Sequence, residues 1–299
     1  MNYPEFKINE EKCVKCGLCV KDCLTKCLEQ DSETNVPKFK ENYEGYCLKC
    51  QHCLAVCPTG ALSIWGKNPD ESFNLNDLNI NSNDLLNLIK SRRSIRSFKQ
   101  ENLDAERMNK LKDMLKWTPT GCNFHNMHFA FVDDIEVMGD IRNKINTRLI
   151  NLLSKPFMKN TPLGKFAVYK DALIGGEDVI FREAPHMVIV STPIKAPCVG
   201  VDPMIALSYF ELYAQSMGVG TLWCGFADAC FKFMPDMSDY IGVPDGYKVS
   251  YVMLFGKPDV KYTRATQPED YKIESVKLNG NKTSPWYKKA VRVLLNLLR

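Results

Sequence analysis

The chain lacks a long hydrophobic run: in 299 residues no uninterrupted apolar stretch approaches the ~20 that a membrane-spanning helix needs. Its opening residues, Met1-Asn2-Tyr3-Pro4-Glu5-Phe6-Lys7, contain no apolar core of the kind a secretory leader carries. Charge of one sign is also missing. Lysine and arginine number 39 against 35 acidic residues, a net charge of +4, with no basic stripe interleaved with aromatics, so nucleic acid is not an expected partner. Gly218-x-Gly220 lacks the third glycine of a dinucleotide fingerprint: Trp223 stands there, and a helical pattern rather than a strand precedes it, which excludes a Rossmann domain. These absences point to a cytoplasmic protein with no membrane partner. The run from Ala290 to Arg299 is apolar with basic punctuation and is expected to pack as a terminal helix on the core or on a second subunit.

Cysteine, by contrast, is abundant. Eight of the 13 cysteines form two copies of one pattern, Cys13, Cys16, Cys19, Cys23 and then Cys47, Cys50, Cys53, Cys57 followed by Pro58. The spacing resembles that of bacterial-type ferredoxins and predicts two 4Fe-4S clusters. Three cysteines at C-x-x-C-x-x-C wrap three iron corners, and the distant cysteine of the other motif fills the fourth. One cluster is thus assigned to Cys13, Cys16, Cys19 and Cys57, the other to Cys47, Cys50, Cys53 and Cys23. Zinc is the rival for paired C-x-x-C units, but it does not require the third cysteine of each loop and a fourth four residues later. Disulfides fit poorly with an odd cysteine count and with thiolate iron ligation, which needs a reducing compartment. Leu24 follows Cys23 where bacterial ferredoxins usually carry proline, and Cys27 is a nearby alternative thiol read here as a small buried hydrophobe.

The division expected is a cluster domain at 1–66, a linker at 67–83 and a larger domain at 84–299. A domain of the first size buries only about 60% of its unfolded surface, and the clusters supply the missing crosslinks. The linker is polar and asparagine-rich. Beyond it, Leu85, Leu86, Leu88 and Ile89 begin a helical pattern. Asp104 to Trp117 reads as a helix capped by Asp104 and stopped by Pro119. Strands are expected at Phe129 to Val132, Met187 to Ser191 and Tyr247 to Phe255, and a helix near Asp134. Met204 to Met217 is helical and apolar on nearly every side, so it belongs in a core or across a subunit interface.

Ser91-Arg-Arg-Ser-Ile-Arg-Ser-Phe98 concentrates three arginines and two further serines after a helix, a composition suited to forked hydrogen bonds with a phosphate. Here the chain resembles the FMN-dependent nitroreductase family. Its Arg-Arg-Ser-x-Arg-x-Phe signature is matched from Arg92 to Phe98, and its proline and small-residue turn by Pro119-Thr-Gly-Cys-Asn123. The glycine-rich turn is matched by Gly218-Val-Gly-Thr-Leu-Trp-Cys-Gly225, and a looser element by Gly256-Lys-Pro258 with Lys261-Tyr-Thr-Arg264. The resemblance covers roughly residues 84 to 270 and, with the cysteine motifs, looks like a ferredoxin-nitroreductase fusion of the kind found in anaerobes. The fold it implies is α+β, a small ferredoxin-like domain followed by a nitroreductase-like one.

Carried over by position, Arg92, Arg93, Ser94 and Arg96 would hold the FMN phosphate and ribityl chain, with Arg264 closing on the phosphate. Thr120 and Asn123 would approach the ribityl chain or ring, and Gly225 would let backbone amides reach the isoalloxazine. Where many relatives have glutamine and proline after the asparagine, this chain has His125 and Asn126, with His125 either a structural histidine or a proton donor. Cys122 and Cys224 are read as small packing residues. The segment from about Leu152 to Arg182 is either a lid or a structural extension. The resemblance further implies a homodimer that takes electrons from ferredoxin or flavodoxin, passes them through two clusters to FMN and reduces a small organic acceptor. A non-catalytic electron carrier or redox sensor, and a reductase of enoates, quinones or halogenated aromatics, are the alternatives. Direct reduction by a nicotinamide remains compatible with this flavin fold.

Overall fold

In the computed structural model, which describes residues 5–155, 162–276 and 286–297, the repeated cysteine motifs dictate a repeated backbone. Helix α1 (Leu18–Asp22) carries the third cysteine of the first motif, Cys19, as α2 (His52–Ala55) carries Cys53 of the second. Strands β1 (Phe6–Ile8) and β4 (Leu62–Ile64) pair antiparallel, as do β2 (Leu28–Gln30) and β3 (Pro37–Phe39). Their small core is Leu28, Leu54, Leu62 and Ile64 with Phe6, Ile8 and Phe39 packed against it. That is little apolar surface for about 60 residues, and the cysteines themselves complete its boundary.

The asparagine-rich stretch ends at Asn81, whose side chain accepts from the Asn83 amide at 2.8 Å and starts α3 (Ser82–Ser91), two residues before the expected helix. Leu85, Leu86 and Ile89 of α3 are exposed. Asp104 caps α4 (Ala105–Met114) through the Arg107 amide at 2.9 Å, and a 3-10 turn at Leu115–Trp117 ends the helix before Pro119, as expected.

Strands β5 (His128–Val132), β6 (His186–Pro193), β7 (Gly220–Trp223) and β8 (Tyr247–Gly256) form one antiparallel sheet in the order β5-β6-β8-β7. Its period of two sorts the core. Met187 and Ile189 of β6 face a layer containing α5 (Ile135–Leu153) and α8 (Gly225–Phe233), whereas Val188 and Val190 face α4 and α7 (Asp202–Ser216). Helix α5 begins where Asp134 accepts from the amides of Glu136 at 2.8 Å and Val137 at 3.2 Å. Short helices α6 (Lys170–Ile174) and α9 (Pro235–Tyr240) close this layer. The described part of 152–182 is a structural extension: Phe166, Leu173, Ile180 and Phe181 are buried in the core.

Helix α7 is the predicted apolar helix, but it is one-sided. Ala206, Leu207, Phe210 and Ala214 pack on the sheet, while Tyr209 and Tyr213 face outward. Strand β7 lies inside the segment read from sequence as a glycine-rich turn. Gly220 is required there, because a Cβ would stand 2.5 Å from Ile95 Cγ1. The chain divides into two compact units, Met1–Ala265 and Thr266–Arg299, and the second contains α10 (Trp286–Leu297), whose Val291, Val293, Leu294 and Leu295 are exposed. The last two residues of the apolar C-terminal run lie outside the described residues. Among the described residues no helix is long and apolar enough to cross a membrane.

Candidate redox site

Each cysteine loop turns by the same device. The residues flanking the middle cysteine adopt left-handed backbone, Lys15 (φ 55°) and Gly17 (φ 71°) in the first motif, Lys49 (φ 56°) and Gln51 (φ 60°) in the second. Left-handed residues are costly for side-chain-bearing amino acids, so their recurrence at matched positions marks a backbone shaped for a purpose. The purpose is visible in what the loops enclose. One hollow is lined by Cys13, Cys16, Cys19 and Cys57, and a second by Cys23, Cys47, Cys50 and Cys53 together with Cys27. Each therefore collects three thiols from one motif and the fourth from the other. Among the described residues no three His, Cys, Asp or Glu side chains form a group able to hold one metal ion. Thiols spaced around a hollow suit a polynuclear cluster, whose cysteines bind different irons.

The two crossing cysteines have matched surroundings. Cys57 Sγ accepts from the Ala61 amide at 3.2 Å and lies 3.8 Å from Thr59 Oγ1, while Cys23 Sγ lies 3.8 Å from Thr25 Oγ1. Burial opposes ionisation of both thiols, yet neighbouring backbone and threonine hydrogen bonds outweigh it and lower their pKa values. Cys53, more deeply desolvated, is pushed up to about 12. Cys27 is buried, as expected of a packing residue, but its Sγ meets Thr25 Oγ1 at 2.8 Å and it borders the second hollow.

In the larger part of the chain, three of the four sequence signatures meet at the β7 edge of the sheet. The Ile95 amide donates to Thr221 O at 2.9 Å, Ser94 bridges Thr221, and Phe98 bridges Pro258. The Lys99 amide donates to Lys257 O at 2.9 Å, and the Asp259 amide to Ser97 O at 3.0 Å. Arg92 reaches inward, its Nη1 3.1 Å from Oε1 of Glu211, a buried carboxylate on α7. The Arg93 guanidinium stands 5.9 Å from the Tyr262 ring centroid. Arg96 and Arg264 are exposed. Gly225 opens α8, and a Cβ there would meet only Tyr251 Oη at 3.6 Å. Tyr251 carries no sequence mark because it lies within β8, ahead of the Gly256 signature, and only the sheet brings it to Gly225. Burial first, then Asp228 and Cys224, raise its pKa. Cys224 is buried and its thiol raised to about 11 by desolvation, in keeping with packing, whereas Cys122 is exposed.

The fourth signature lies elsewhere. Its Gly121 amide donates to Asp202 Oδ1 at 3.0 Å, at the start of α7, so nine residues, or roughly 13 Å of helix, separate Asp202 from the Glu211 that pairs with Arg92. Asn123 Nδ2 donates to the carbonyls of Leu48 at 2.9 Å and Lys49 at 3.1 Å. Since carbonyls only accept, the Asn123 Oδ1 at 2.8 Å from His125 Nε2 is an acceptor, and His125 Nε2 donates to it. The Thr120 hydroxyl accepts from the His125 amide at 3.0 Å. His125 also borders an open groove floored by Met127, Phe129 and Phe131 and rimmed by Lys112 and Lys116.

The nitroreductase family model matches residues 89–257, more than half of the chain. The protein belongs to the nitroreductase family. A 4Fe-4S dicluster domain model matches residues 5–68, so this member of an oxidoreductase family carries a ferredoxin-type domain ahead of its nitroreductase fold. Similar proteins include the iodotyrosine deiodinase of Thermotoga neapolitana, 23% identical over 176 residues that make up 58% of this chain and 89% of that one. The NADH-quinone oxidoreductase subunit I 2 of Geobacter metallireducens is 36% identical over 66 residues, 20% of this chain and 49% of that one. A solved structure of a nitroreductase with bound FMN from Bacteroides fragilis superposes with a TM-score of 0.53 at 20% identity, covering 66% of this chain and all of that one. At that identity the superposition establishes the fold.

Proposed function

We propose that this nitroreductase-family protein is an iron-sulfur flavoprotein that takes electrons from a low-potential donor, ferredoxin or flavodoxin, and delivers them to a small organic acceptor. The observation that carries the reading is the crossed lining of the two hollows, each with three cysteines of one motif and one of the other. When bound, the two 4Fe-4S clusters carry single electrons and the FMN assembles pairs. Cys13, Cys16, Cys19 and Cys57 would hold one cluster, and Cys47, Cys50, Cys53 and Cys23 the other. The domain division proposed is 1–66, 67–83 and 84–299.

For the flavin, the fit rests on the arginine segment fastened beside β7 and the open space at Gly225. Ser94, Arg93, Arg96 and Arg264 supply hydroxyl and guanidinium donors for phosphate, and Gly225 leaves backbone amides accessible. Arg92 orients the segment through buried Glu211. Thr120 and Asn123 lie at the far end of α7, and the outward Tyr209 and Tyr213 occupy the face between. The exposed Tyr209 and Tyr213 support a homodimer paired along α7 in the isologous arrangement. A cytoplasmic location and an anaerobic host accord with cysteine-rich, oxygen-sensitive cofactors.

The likeness to a deiodinase favours a second reading, reduction of a halogenated aromatic. The groove with a phenylalanine floor and a lysine rim suits a flat ring bearing an anionic group. An anaerobic screen tests both readings: nitroarenes, quinones, enoates and halogenated phenols are offered with reduced ferredoxin, and then with a nicotinamide, as donor. Ferredoxin consumption coupled to one acceptor class is the expected result. Exchange of electrons with ferredoxin but no turnover of any small acceptor would make the protein a carrier or sensor.

A further inference from the structure

We propose that Asn123 is a positioning residue that seats the second cysteine loop on the nitroreductase domain, so that electrons enter at the Cys13–Cys19 loop and leave through the Cys47–Cys53 loop. The inference rests on the function proposed above and adds a direction to it. Leu48 follows Cys47 and Lys49 precedes Cys50, so the two carbonyls that accept from Asn123 Nδ2 each adjoin a cysteine of the second hollow. Both hydrogens of the amide are thereby used, which fixes the loop's height and its rotation over the turn.

Both sides of this junction are stiff. Asn123 has left-handed backbone (φ 54°), its amide donates to Thr120 O at 3.0 Å, and its Oδ1 is held by His125 Nε2 at 2.8 Å. Asp202, itself buried, ties Gly121 of the same turn to the head of α7. Across the junction, Lys49 has left-handed backbone and its ammonium lies 4.3 Å from the Trp65 ring centroid. The first loop is placed differently. Its Lys15 carbonyl accepts from Gln30 within the cluster domain, Cys16 is exposed, and Val14 and Leu18 stand in solvent.

Electron tunnelling falls steeply with distance, so the loop bonded to the nitroreductase domain is the exit and the solvent-facing loop meets the donor. Each passage moves one electron from a donor of the reduced-ferredoxin class, which is oxidised by one electron. Two passages, with two protons drawn from water, balance a two-electron reduction of the acceptor.

The test mixes anaerobic full-length protein with reduced ferredoxin and follows cluster bleaching and flavin bleaching separately by stopped flow. In the FMN-loaded fraction of Asn123→Ala and of Asn123→Asp, iron content should match the parent and cluster bleaching should keep its rate. Flavin bleaching should slow by about tenfold, the effect expected from losing two neutral hydrogen bonds. Trypsin should cut at Lys49 faster, and Asn123→Gln, which retains both donors, should restore part of the flavin rate. In Cys50→Ser, bleaching of the first cluster should survive while flavin bleaching is lost. Parental flavin rates in both Asn123 variants, loss of FMN from both, or flavin bleaching that persists in Cys50→Ser would each overturn the inference. Absence of iron or flavin from the parent protein would instead overturn the function on which it rests.

Discussion

Replacing Cys57 with alanine is expected to cut iron content by about half and to lower ferredoxin-driven turnover on the order of a hundredfold, while FMN stays bound. The reason lies in the crossed hollows. Cys57 belongs by sequence to the second motif, yet it lines the first hollow with Cys13, Cys16 and Cys19, and it is near enough to Cys19 to add to the upward shift that burial gives that thiol. Its loss opens a corner of the first cluster, whereas all four thiols of the second remain. Were ligation confined to each motif, the second cluster would fail instead. Site-resolved iron analysis by Mössbauer or EPR spectroscopy, paired with flavin quantification, separates the outcomes. Unchanged iron together with unchanged turnover would contradict crossed ligation.

The second large effect divides the arginine segment into two jobs. Arg92→Ala should destabilise the protein by about 2 to 3 kcal/mol, because it strands Glu211 in a buried site; half-exposure of the arginine keeps the cost below that of a fully buried pair. Arg96 is exposed, its Nη1 only 3.5 Å from Ser94 O, so Arg96→Ala should change stability by less than about 0.5 kcal/mol. It should instead weaken FMN binding roughly ten- to a hundredfold, the worth of one charge-assisted hydrogen bond. Urea unfolding with a parallel FMN-release titration measures both. A stable Arg92→Ala protein, or an Arg96→Ala protein that binds FMN as tightly as the parent, would contradict this division.

What the sequence disclosed follows from how local each signal is. The cysteine spacing is set by chain geometry within a few residues, so the three-cysteine wrap of each loop is legible, whereas the crossing members come from the distant motif and are implied by the ferredoxin resemblance. Helix starts at Asp104 and near Asp134 are equally local, and the cap expected at Asp104 formed. Strand β7 was obscured because its glycine serves a tertiary need, clearance for Ile95, that looks like turn chemistry in one dimension. The one-sidedness of α7 was hidden by tyrosine, which counts as apolar in a pattern yet faces outward here at 209 and 213. Glu211, the buried partner of Arg92, carries no sequence mark because its meaning depends on a residue 119 positions away. The resemblance assigns Asn123 to the flavin by its position in a motif, and nothing in that motif marks the carbonyls 74 and 75 residues earlier that its amide also reaches. Pairings at that range are set by how domains pack, which periodicity and spacing do not encode.

Whether one polypeptide joins paired iron-sulfur clusters to a flavin is decided by the iron, sulfide and flavin content of protein purified without oxygen. About eight irons, about eight sulfides and one FMN per chain are predicted. Zinc in place of iron, with no isoalloxazine absorbance, would contradict that composition.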